Sequence, residues 1–160
     1  MFRRLRTIES ILKKSNNRNS LYLGGTYMLN HLKFMKTKAK DIDVFLYVHD
    51  REEALKVITE EFGQENIKIK SKYYKKDNFL ELMIKVNDHV SIDIIIKPLS
   101  VKKFKDSGFK FKEIKVIPTE IILISKHRYR RWKDIKHKID MILTMFNPNR
   151  ITKLREGKEF

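Results

Sequence analysis

From residue 66 to residue 97 the chain abandons helical spacing and alternates. Segments 66–74 (NIKIKSKYY), 79–86 (FLELMIKV) and 90–97 (VSIDIIIK) change sides at every residue, the period of a strand. The joints at 75–78 and 87–89 are short enough for hairpins, and Pro98 stops the last strand. Three strands joined this way form an antiparallel set, which needs a second layer over its apolar face.

The rest of the chain supplies that layer. Residues 2–14 place Leu5, Ile8, Ile11 and Leu12 at helical spacing, with a basic outer face. A short strand, Leu21-Tyr22-Leu23, runs into Gly24-Gly25-Thr26, and a second helix follows with Met28, Leu29, Leu32 and Met35 on one side. Residues 41–48 (DIDVFLYV) read as a strand, and 51–62 as a third helix stopped by Gly63. After a basic loop at 102–112, a helix is expected to open at Pro118. A last one is expected over 131–146, with Ile135, Ile139, Ile142 and Leu143 inward. The order is α+β: a mixed, mostly antiparallel sheet flanked by helices. Residues 1–117 are expected to form the core, 118–146 a helical extension packed on it, and 147–160 a frayed tail, making one compact unit at 160 residues.

Composition removes several chemistries. There is no cysteine, so disulfides, thiolate nucleophiles and cysteine-based zinc sites are excluded. No apolar run reaches the ~20 residues of a membrane span, and no signal-peptide core follows the basic start. The expectation is a cytoplasmic protein with no membrane partner. Its five histidines show no paired ligand spacing, and Ser91 and Ser125 have no base at a suggestive distance. The net charge is +16, unevenly spread. Residues 1–40 sum to +9, 41–96 to −4, 97–115 to +5 and 126–138 to +6. Basic flanks around an acidic middle suit a carboxylate centre that faces a polyanion; plain solvated lysine surface is the alternative.

Three carboxylates in that middle sit within apolar strand sequence. Asp41 and Asp43, two apart, project from one strand face; Asp93, in Ser91-Ile92-Asp93-Ile94, extends from a strand that could lie alongside. Clustered carboxylates repel unless a cation neutralises them, and an all-oxygen set favours magnesium or manganese over zinc. Gly24-Gly25-Thr26 joins a strand to a helix, where the backbone can approach a phosphate chain; no Gly-Lys-Ser/Thr follows, so it is not a P-loop. Taken singly, Asp-x-Asp is as readily a strand-end turn, and Gly-Gly-Thr a tight turn.

As an ordered set, Gly24-Gly25-Thr26, then Asp41-Ile42-Asp43, then Asp93 between apolar neighbours, residues ~20–97 resemble the DNA-polymerase-β-like nucleotidyltransferase superfamily. With Lys126, Arg131 and Asp134 in the C-terminal part, the chain is similar to the nucleotidyltransferase toxins of type IV toxin–antitoxin (abortive-infection E) systems. It departs from them in being short, with little of the usual C-terminal helical domain. The resemblance implies a minimal nucleotidyltransferase fold and transfer of a nucleoside monophosphate from an NTP to an acceptor hydroxyl. Asp41, Asp43 and Asp93 would hold two Mg2+ (or Mn2+) ions. Gly24, Gly25 and Thr26 would cradle the nucleotide, Lys126 and Arg131 would neutralise its phosphates, and Asp134 would orient the lysine or act as a base. The implied partners are an RNA acceptor such as a tRNA and an antitoxin protein. A catalytically inactive binding module and a metal-dependent nuclease are the competing interpretations.

Overall fold

The computed structural model describes residues 1–15, 17–87, 90–128 and 132–145. Seven strands form one mixed sheet: β1 (Asn19–Gly24), β2 (Ile42–Val48), β3 (Ile67–Tyr74), β4 (Phe79–Asn87), β5 (Ser91–Pro98), β6 (Lys110–Phe111) and β7 (Ile114–Val116), in the order β3-β4-β5-β2-β1-β7-β6. The β3-β4-β5 and β6-β7 neighbours pair antiparallel, as do β1 and β2, while β2–β5 and β1–β7 are parallel. The α+β class is as expected. The sheet is larger, seven strands where the sequence suggested five.

The helices are α1 (Phe2–Lys14), α2 (Gly25–His31), α3 (Arg51–Phe62), α4 (Thr119–Arg128) and α5 (Trp132–Met145). Among the described residues none is long and apolar enough to cross a membrane. Helices α1 and α3 pack together over one face of the sheet. Leu5, Ile8 and Leu12 meet Leu21, Leu23, Val44, Leu46, Ile84, Ile94 and Ile96 there, all buried, while Ile11 stays exposed. Asp50 caps α3 by accepting the Glu53 N–H at 3.1 Å, and Gly63, at φ +85, ends it.

Three expectations change. The β6–β7 hairpin falls where a loop and no strand were expected. Its two central residues, Lys112 and Glu113, both have positive φ, which such turns require but which usually advertises itself as Asn-Gly. Helix α2 ends at His31 and does not run on to Met35. Lys33 adopts a left-handed conformation, with Lys33 N–H to Asn30 O at 3.0 Å and Phe34 N–H to Leu29 O at 2.8 Å, a Schellman closure without its usual glycine. Phe34 and Met35 are buried all the same, from the loop.

The third change is in α5. Ile135, Ile139 (53% exposed), Ile142 and Leu143 (71%) face outward, against the inward placement expected. The helix is held instead by its other side. Met141 is buried, and Asp140 Oδ2 accepts the N–H groups of Lys36 (2.9 Å) and Thr37 (2.7 Å) and the Thr37 hydroxyl (2.6 Å). The tail from residue 147 lies outside the described residues.

Candidate metal centre

The sheet register assembles the centre. Asp43 and Asp93 are direct partners across β2–β5, and Gly24 faces Asp43 across β1–β2. Parallel pairing thus brings residues fifty apart in sequence side by side on one sheet face, opposite to the face covered by α1 and α3. Asp41, one residue ahead of β2, adds the third carboxylate. One oxygen from each of Asp41, Asp43 and Asp93 lies within 4.8 Å of the others, a group that could hold a metal ion. Asp93 is the most enclosed, 8% exposed, and Asp41 and Asp43 are half-buried. Three negative charges this close, partly shielded from water, are costly unless a cation joins them.

Gly25 is fitted to this cluster. Its φ is +66, and a Cβ there would stand 1.7 Å from Asp43 Oδ2 and 2.6 Å from Cγ, so no side chain coexists with the carboxylate as placed. Gly24 is extended and needs no special φ. Its reason is packing, since a Cβ would come within 2.9 Å of the Phe45 ring and 3.2 Å of Ile117 Cδ1. Ile117 N–H also donates to Leu23 O at 2.9 Å, which fixes the approach to α4 beside the glycines. Thr26 is buried, so the turn offers a phosphate its backbone more than that hydroxyl.

Lys85 was missed by the sequence reading. It is Asp93's partner across β4–β5, with Nζ 3.7 Å from Asp93 Oδ1. Lys68 is in turn Lys85's partner across β3–β4. Gly24, Asp43, Asp93, Lys85 and Lys68 therefore form one cross-strand row. The signal was present: the alternation of β4 puts Lys85 on the face opposite Ile84 and Val86, but only the register sets it against Asp93.

The C-terminal candidates are placed less fully. Lys126 lies on α4 and Asp134 on α5, but their side chains, like Arg131 altogether, lie outside the described residues. Part of the basic charge expected for an acceptor proves to be spent internally. Lys97 pairs with Glu81 at 3.3 Å; Lys102 and Lys115 reach Asp106 at 3.2 and 3.0 Å. The Tyr22 hydroxyl also donates to Asp106. That hydrogen bond, with both lysines, lowers the Asp106 carboxyl to about 2, while burial above all pushes Tyr22 up to about 12. Phe104 packs edge-on against Tyr22 and Tyr47, and Phe111 against Phe2 and Tyr27, so these rings serve the packing first.

No protein-family model matches the chain, and no curated protein shows significant similarity to it.

Proposed function

We propose that this protein is a metal-dependent nucleotidyltransferase, moving a nucleoside monophosphate from a nucleoside triphosphate to an acceptor hydroxyl. The observation that carries the proposal is the meeting of Asp41, Asp43 and Asp93 within 4.8 Å beside a glycine turn built against one of them. The donor set, three carboxylates, suits magnesium or manganese, and the resemblance implies that two ions would be held there. Held by Asp41, Asp43 and Asp93, such cations would activate an attacking oxygen and neutralise the leaving phosphate.

The chain's own groups do the rest. Asp93, enclosed and beside Asp43, would receive the proton of the acceptor hydroxyl as its oxygen bonds to the α-phosphorus. The bond from that phosphorus to the bridging oxygen breaks, and pyrophosphate leaves. Gly24 and Gly25 let the triphosphate lie close to the backbone, and Lys85 offers positive charge one strand away. By the resemblance, Lys126 and Arg131 would neutralise the triphosphate, and Asp134 would orient the lysine or act as a base. By its resemblance to the type IV toxins, the acceptor is proposed to be RNA, a tRNA end in particular, and an antitoxin the protein partner.

The test is incorporation of labelled triphosphates into total tRNA with magnesium present. Label should appear with the wild-type chain and vanish with Asp41→Ala/Asp43→Ala; transfer that survives the double substitution would sink the assignment. RNA shortening without labelling would make the centre a nuclease instead. The Lys85–Asp93 ion pair favours a second reading, a catalytically idle binding module whose lysine supplies the neutralising charge. Calorimetry separates them, since an idle module would take up no magnesium triphosphate.

A further inference from the structure

We infer that the edge of the sheet at β3 and β4 is a track for a single-stranded polynucleotide, which leads its end to the carboxylates. Naming that strand as the acceptor rests on the proposed transfer reaction, whereas its binding does not.

Strand β3 is chemically two-sided. Lys68, Lys70 and Lys72 share the face that carries Asp43 and Asp93, whereas Ile67, Ile69, Ser71 and Tyr73 point to the other. The three lysines are exposed. Lys68 and Lys70 make no ion pair among the described residues, unlike Lys97, Lys102 and Lys115. Lys68 also stands directly opposite Lys85, whose charge Asp93 engages, which leaves Lys68 as the outer cation of the row. From Lys68 the row passes through Lys85 to Asp93 and Asp43, each strand ~4.8 Å from the next. A chain of phosphates laid on the ladder is thereby led to the carboxylate centre.

The adjacent row explains a preference for single strands. Lys70 faces Met83, Met83 faces Ile95, and Ile95 faces Phe45. Met83, Ile95 and Phe45 are only half-buried, and they form an apolar strip beside the charged row. Unpaired bases can lie on such a strip while their phosphates meet lysines, whereas a duplex keeps its bases inside. Lysines on an edge strand also discourage edge-to-edge association, a role that would leave nucleic-acid binding indifferent to their loss.

The experiment measures fluorescence anisotropy of a short, unstructured, labelled oligoribonucleotide against the full chain over a range of salt. Lys68→Glu/Lys70→Glu is compared with Arg3→Glu/Lys14→Glu, an equal charge change on the exposed side of α1. The ladder variant should bind at least tenfold more weakly, with a salt slope reduced by about 1.4, two phosphates' worth. The α1 variant should stay within a fewfold of wild type, and a duplex of the same sequence should bind less well. A DNA oligomer bound as tightly as RNA supports the track and assigns it to phosphate and base stacking; weaker binding of DNA supports it as an RNA track. Thermal melts establish that both variants are folded. Calorimetry with magnesium triphosphate should be unchanged by Lys70→Glu alone, at a position that faces Met83 and not Lys85, so loss of the track and failure of the transferase reading are separately visible. Equal losses in the two variants, preference for duplex, or no oligonucleotide binding by the wild-type chain would overturn the inference.

Discussion

Replacing Gly25 by alanine probes the centre without touching a carboxylate. At φ +66 an L side chain costs ~1–2 kcal/mol, of which ~0.4–1 kcal/mol returns through the stiffer unfolded chain. Backbone strain alone is therefore a modest loss. The collision is larger, because the new methyl would sit 1.7 Å from Asp43 Oδ2, 2.6 Å from Cγ and 2.8 Å from Cβ. The carboxylate has to swing away, and with it goes one of the three oxygens that could hold a metal ion. Disturbing the orientation of a ligand typically costs ~10–100-fold in metal affinity, and that is the loss expected for Mn2+ in a calorimetric titration. Asp43→Ala removes the two closest contacts and leaves the one at 2.8 Å. In that background Gly25→Ala should cost less stability in urea, a coupling on the order of 0.5–3 kcal/mol. Wild-type Mn2+ affinity in Gly25→Ala, or an equal stability cost in both backgrounds, would refute the reasoning.

Asp41→Asn should raise metal-free stability by up to ~1 kcal/mol, because like charges within 4.8 Å of one another repel by about that much even in water, and it should abolish any rise in Tm on adding Mn2+. Lower stability in the presence of EDTA would show that the three carboxylates do not strain one another. Asp106, lowered from 3.8 to about 2 in the fold, contributes stability that is full above its unfolded value and is lost as pH falls from ~4 through 2. Tyr22, raised from 10.0 to about 12, contributes stability that is full below 10 and fades as pH rises through 12. Urea titrations across pH should show both edges, and Asp106→Asn should flatten the acid one. Asp140→Ala removes an acceptor of three hydrogen bonds and should cost about 1–2 kcal/mol, with faster amide exchange at Lys36 and Thr37. Unchanged exchange there would mean that the Asp140 hydrogen bonds do not hold that segment.

What could be read in advance follows the reach of each signal. The alternation of residues 66–97 and the helical spacing of 2–14 and 51–62 are local, and those elements stand within a residue or so of expectation. The apolar setting of Asp41, Asp43 and Asp93 was equally local, and the sheet joins them. Turns that glycine or asparagine would announce were hidden at Lys33 and at Lys112-Glu113, because other residues take up the left-handed conformation there. Summing charge by segment misled for a geometric reason. The stretch 41–96 totals −4, yet consecutive strand residues point to opposite faces, so it hides the lysines at 68, 70, 72 and 85 on the carboxylate face. In the flank 97–115, a positive total overstated what is available, since Asp106 and Glu81 occupy three of its lysines. Helix α5 showed an apolar stripe, but periodicity does not tell which side a neighbour will take, and Met141 and Asp140 decided it.

The parallel pairing of β2 with β5 also governs when the centre can exist. Asp41 and Asp43 leave the ribosome early, but their partner at 93 arrives only after α3 and the β3–β4 hairpin, and β5 must dock between β4 and β2 to deliver it. Pairing at such sequence separation forms late, after the local helices and hairpins. A nascent or truncated chain ending before residue 93 holds two carboxylates and no third. The three-carboxylate centre is thus completed only with the sheet, and a cell making this protein meets the finished cluster once the fold is nearly whole.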